Sequence, residues 1–96
     1  MAGRIRYLVA YDIREDRRLR AVAKVMVGFG SRLQYSVFVC DLTYAELCDM
    51  RLSLGEVVHH RVDSVVIVPL GEGYDMSAFE FIGPAPSLPK GGSTIV

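Results

Sequence analysis

The chain has no tryptophan and only two cysteines, Cys40 and Cys48, at a spacing that forms neither a metal-ligand pair nor a redox motif. That argues against a disulfide-stapled secreted fold and for two reduced thiols in a cytoplasmic protein. No apolar run approaches the roughly 20 residues of a membrane span, and Tyr7–Tyr11 is too short for the apolar stretch of a signal peptide. Net charge is also missing: 11 basic residues balance 11 acidic ones, so there is no global attraction to nucleic acid. A Gly-rich phosphate cradle is absent, as is the glycine-and-aromatic pattern of an RNA-recognition sheet. His59 and His60 have no ligand-spaced partner and read as loop.

What is present is apolar surface and charge asymmetry. At 96 residues and 51% hydrophobic composition, the chain carries more apolar side chains than a small monomer needs, which points to a homodimer. The eight basic residues up to Arg32 (Arg4, Arg6, Arg14, Arg17, Arg18, Arg20, Lys24 and Arg32) face three acidic ones. The remaining chain holds three basic and eight acidic residues, so the two parts differ as +5 against −5.

The chain is organised around Arg4–Asp12. Tyr7 to Tyr11 is apolar on both alternating faces, as in a strand covered on two sides, and Asp12 stands at its end. A carboxylate at the rim of the core, on backbone held still by a strand, suits a metal ligand or a base; it equally suits a helix-entry cap. Glu15 to Phe29 follows with Leu19, Val22, Ala23, Met26 and Phe29 at helical spacing, and Arg14, Arg17, Arg20 and Lys24 cluster opposite. Gly28 and Gly30 supply the stop.

Arg32–Leu42 is β-prone and reads either as one bent strand or as two broken near Tyr35–Ser36, with Val37–Cys40 buried and Tyr35 and Phe38 in the core. Thr43 and Glu46 fit a capping box that opens a second helix with the stripe Leu47, Met50, Leu54 and Val57 or Val58. Ser64–Leu70 reads as another buried strand, with Pro69 near its end or on an edge, and Ala78–Ile82 as a short last strand. Residues 84–96 form a Pro-rich arm ending in Thr94-Ile95-Val96, which is suited to pair with a neighbour's sheet edge. The fold class is therefore α+β: a ferredoxin-like βαββαβ plait over residues 1–83, with an extra C-terminal strand and one bare sheet face that asks for a partner.

Tyr11-Asp12-Ile13 at the end of the first strand, the basic helix after it, Arg32-Leu33-Gln34-Tyr35-Ser36-Val37-Phe38, the closing Val68-Pro69-Leu70-Gly71 and the late Phe81-Ile82-Gly83 together resemble the CRISPR-associated Cas2 endoribonucleases of spacer acquisition. The likeness covers roughly the whole chain, in order. It implies a homodimer whose sheets pack together and whose C-terminal strand pairs with the other protomer. It also implies metal-dependent cleavage of single-stranded RNA or of DNA, and a role with an integrase subunit on duplex DNA. Asp12 matches the family's metal-binding aspartate, making it the implied catalytic residue and ligand of Mg²⁺ or Mn²⁺. Arg17, Arg18, Arg20, Arg32 and Phe38 match its basic and aromatic positions.

Arg14, Arg17, Arg18, Arg20, Lys24 and Arg32 form the expected phosphate-binding set, because clustered cations bind a nucleic-acid backbone by counterion release. Tyr11, Ser36 and Phe38 are expected in supporting roles, with a backbone turn bond the plainer reading of Ser36. One carboxylate makes a poor metal site, whereas a two-fold axis would duplicate it. The competing readings are a DNA scaffold without turnover, a ribonuclease toxin of similar fold, and an unrelated RNA-recognition or ligand-regulated module.

Overall fold

The computed structural model describes residues 3–72 and 79–86. The elements run β1 (Ile5–Asp12), α1 (Asp16–Val27), β2 (Gly30–Gln34), β3 (Val37–Leu42), α2 (Tyr44–Val57) and β4 (Ser64–Gly71). The strands form one four-stranded sheet in the order β2-β3-β1-β4, antiparallel at every pairing. This is the ferredoxin-like plait expected from the element order. Each helix returns the chain past an intervening strand, and both helices lie on one side.

Strand alternation decides which side chains form the core. Tyr7, Val9 and Tyr11 of β1 meet Phe38, Cys40 and Leu42 of β3 on the helix side, against Val22 and Met26 of α1 and Leu47, Met50 and Leu54 of α2. Val57 and Val58 both pack against this cluster. Phe38, Met26, Met50, Val9 and Val22 are fully buried, each worth about 1.5–3 kcal/mol of transfer free energy. Glu15 caps α1 by accepting from the Arg18 amide, and the Thr43–Glu46 capping box opens α2 as its residues predict. β2 approaches β3 so closely that a Cβ on Gly30 would lie 2.6 Å from Cys40 Sγ and closer still to the Val39 carbonyl oxygen, so glycine is required there.

Several expectations change. Tyr35 and Ser36 form the two-residue turn between β2 and β3, and Tyr35 is 72% exposed rather than core. β4 is not a buried strand. It is the outer strand of the described sheet, with Val65 and Ile67 against the core and Val66, Val68 and Leu70 exposed. Residues 79–82 form no strand. Phe79 and Phe81 instead stack at 6.5 Å and pack with Leu33 and Val39 on the helix-free face. Ala78, most of the 84–96 arm and Thr94–Val96 lie outside the described residues. Among the described residues no helix is long and apolar enough to cross a membrane.

Candidate functional site

By strand alternation Asp12 shares the helix-free face with Leu8 and Ala10. Their partners across β1 and β4 are Val68 for Leu8, Val66 for Ala10 and Ser64 for Asp12. Val37 and Val39 of β3 flank Ala10 and Leu8 on the other side. The carboxylate thus stands at the rim of an apolar surface on which Val66 and Val68 remain 51% and 40% exposed. Its own side chain is 69% exposed, and Arg14 Nη2 lies 3.7 Å from its Oδ2. That distance sets a cation beside Asp12 without a short hydrogen bond.

The backbone around Asp12 is held on both sides. The Tyr11 amide donates to the carbonyl of Ser36 at 3.1 Å, a cross-strand bond that continues the β1–β3 pairing past Ala10 and Val37. On the far side of Asp12, the Arg14 amide donates to Asp63 Oδ1 at 2.9 Å. Asp63 precedes Ser64, the register partner of Asp12, and its side chain has no exposed surface. It also accepts from Arg18 Nε (2.7 Å), Arg18 Nη2 (3.2 Å) and the His59 amide (2.8 Å). Four donors converge on one carboxylate, using its full acceptor capacity. Foremost among the causes, the Arg18 hydrogen bonds hold the Asp63 carboxyl well below the usual carboxylate range.

The sequence reading did not identify Asp63. Its arginine partners lie 45 and 49 positions away, and no local spacing announces them. A loop carboxylate directly before a strand that pairs with the Asp12 strand was the available signal.

The expected basic set divides. Arg14, Arg17, Arg20, Lys24 and Arg32 are exposed. Arg17, Arg20 and Lys24 fall on one face of α1 at i, i+3 and i+7. Arg18 turns inward to Asp63, with its side chain only 27% exposed. Arg32 lies over the Phe38 ring, 5.2 Å from its centroid, a cation–π arrangement.

Phe38 has no exposed surface, so it acts through packing: its ring stacks on Tyr11 at 6.2 Å. The Tyr11 hydroxyl is buried without a hydrogen-bond partner of ordinary geometry. Burial raises its pKa, and the neighbouring Arg32 charge opposes that. Cys40 and Cys48 are free, and burial pushes the Cys40 thiol up to about 11, which removes it as a nucleophile near neutrality.

Asp12 alone does not make a metal centre within one protomer. Among the described residues no three His, Cys, Asp or Glu side chains gather in a way that would hold an ion. Mg²⁺ accepts one or two carboxylates and keeps several waters, so an exposed carboxylate at the rim of a half-exposed face fits as half of a site.

Residues 5–78 match the family model for CRISPR associated protein Cas2. The chain is 40% identical over 88 residues to the CRISPR-associated endoribonuclease Cas2 2 of Thermodesulfovibrio yellowstonii, covering 92% of this chain and 93% of the relative. It is 35% identical over 86 residues to the CRISPR-associated endonuclease Cas2 of Halalkalibacterium halodurans, covering 84% and 88%. The crystal structure of Streptococcus pyogenes Cas2 superposes with a TM-score of 0.74 at 35% identity, covering 81% of this chain and 99% of that one.

Proposed function

The chain belongs to the CRISPR associated protein Cas2 family, and on that premise we propose that it works as a cytoplasmic homodimer in spacer acquisition, binding nucleic acid and cleaving phosphodiester bonds at a centre built on Asp12. The observation that carries this reading is the position of Asp12 at the edge of the helix-free, half-exposed apolar face of β1 and β4. Covering Val66 and Val68 with the same face of a second copy is the simplest way to remove that surface from water. A two-fold axis near the strand ends then brings a second Asp12 to the first.

Asp12 and its symmetry mate would hold Mg²⁺ or Mn²⁺ between them. When held there, such an ion would supply neutralisation of phosphate charge and a lowered pKa for a bound water. The chain supplies the rest. β1 and the Arg14 amide contact fix the carboxylate. The Arg14 side chain offers a cation to the phosphate. Arg17, Arg20 and Lys24 carry the flanking backbone, which needs no base contacts and so accepts RNA or duplex DNA, including DNA presented to an integrase subunit.

The test is Asp12→Asn in purified protein. Mg²⁺-dependent cleavage of single-stranded RNA and of DNA is expected to fall to background while the dimer persists. Undiminished cleavage by the variant would place the activity elsewhere.

A scaffold without turnover is the second reading, favoured by the absence, among the described residues, of three His, Cys, Asp or Glu side chains gathered to hold an ion within one protomer. Under it, Asp12→Asn retains spacer integration and the wild-type protein shows no cleavage to lose.

A further inference from the structure

Asp63 is the most heavily bonded side chain near the candidate centre, yet it lies outside that centre. Its Oδ1 receives the Arg14 amide and Arg18 Nη2, and its Oδ2 receives Arg18 Nε and the His59 amide. One carboxylate thereby joins the β1–α1 connection, the inner face of α1, the end of α2 and the start of β4. The Arg14 contact matters most for function. Asp12 is held on its N-terminal side by the ladder, through Tyr11 to Ser36, and opposite Ser64 by register. After Asp12 the ladder ends, and the next backbone amide anchored across the fold is that of Arg14, on Asp63. Without it, the Asp12–Arg14 segment keeps only the packing of Ile13 on the core and the start of α1 at its Glu15 cap, and Arg14 itself loses its backbone tie to Asp63 before β4.

We propose that Asp63 is a positioning residue for the candidate centre: by anchoring the Arg14 amide it holds the Asp12 carboxylate on the helix-free face and Arg14 beside it. The proposal rests on the functional reading above. It separates two roles within the clamp, because Arg18 neutralises Asp63 while the Arg14 amide transmits its position. Removal of the Arg18 fork therefore weakens the fold without releasing Asp12. Removal of Asp63 does both.

The experiment compares Asp63→Ala with Arg18→Met in the full chain, well below the melting temperature of each. Amide exchange at Arg14 is followed by NMR and Mn²⁺ binding by electron paramagnetic resonance. In Asp63→Ala, Arg14 exchange is expected to accelerate about tenfold, the loss of one hydrogen bond to a charged group, and Mn²⁺ affinity to fall. In Arg18→Met both stay near wild type although the melting temperature drops. Equal exchange, or equal loss of Mn²⁺ affinity, in the two variants would overturn the proposal.

If Asp63→Ala fails to fold, Asp63→Ala/Arg18→Met, which leaves no unpaired charge, is compared with Arg18→Met instead. Wild-type protein that binds Mn²⁺ no better than Asp12→Asn would refute the metal reading. Arg14 exchange would then decide the role of Asp63 by itself.

Discussion

Replacing Arg17, Arg20 and Lys24 together by Gln should change how duplex binding responds to salt, and replacing Arg18 should not. The three side chains are exposed on one face of α1, whereas the Arg18 guanidinium is held by Asp63 at 2.7 and 3.2 Å. Each phosphate neutralised on duplex DNA contributes about 0.9 to the slope of log K against log salt, so three lost contacts lower it by up to about 2.7 per protomer. Over a fourfold rise in salt, that removes roughly a 40-fold change in affinity from the dependence. Fluorescence anisotropy with a labelled duplex, titrated at several salt concentrations, reads the slope directly. Arg18→Gln is expected to keep the wild-type slope while lowering the melting temperature. A slope that falls as far in Arg18→Gln as in the triple variant, or that is unchanged in the triple variant, would refute the assignment of this face to phosphate.

Gly30→Ala forces a methyl group against the Val39 carbonyl and Cys40 Sγ; the expected loss is about 1–3 kcal/mol, or about 4–8 °C of melting temperature per kcal/mol. Cys40→Ala added to it should recover only part, because the tighter contact is with backbone; full recovery in a thermal melt would show otherwise. The Asp63 carboxyl is depressed in the folded state, so its contribution is present above the ordinary aspartate range near pH 4 and is lost as the pH falls through and below it. Thermal melts between about pH 6 and pH 3 should therefore fall more steeply for wild type than for Asp63→Asn, with Glu15 and Glu46, also lowered by capping bonds, supplying the slope that remains; identical slopes would contradict the clamp. Val66→Glu and Val68→Glu, on half-exposed positions, should leave the circular dichroism spectrum unchanged and convert the proposed dimer to monomer in sedimentation velocity; an intact dimer would move the interface off this face.

The fold was legible because local and long-range signals agree. The apolar run Tyr7–Tyr11, the helical stripe from Leu19 to Phe29 and the Thr43–Glu46 capping box each specify one element, and their order leaves few topologies. The readings that changed concern exposure. Val65–Val68 is an unbroken apolar run, and such a run describes an outer strand beside a bare face as readily as a buried one. Tyr35 is β-prone, yet a two-residue turn places it in solvent.

At the site, Asp12 stood out because it ends an apolar strand. Arg18 and Arg17 are neighbours of the same type, and only the distant Asp63 draws one of them inward. Sequence spacing cannot distinguish them, because the deciding partner is brought in by the pairing of β1 with β4.

The distance between the two Asp12 carboxylates in a crystal structure of the protein grown with Mg²⁺ tests the shared centre most directly. Two oxygens bound to one Mg²⁺ at about 2.1 Å each must lie within roughly 4 Å of one another, and the account predicts that separation across a two-fold axis on the helix-free face. A monomer, or a dimer whose Asp12 side chains face apart on opposite sides of the assembly, would contradict it.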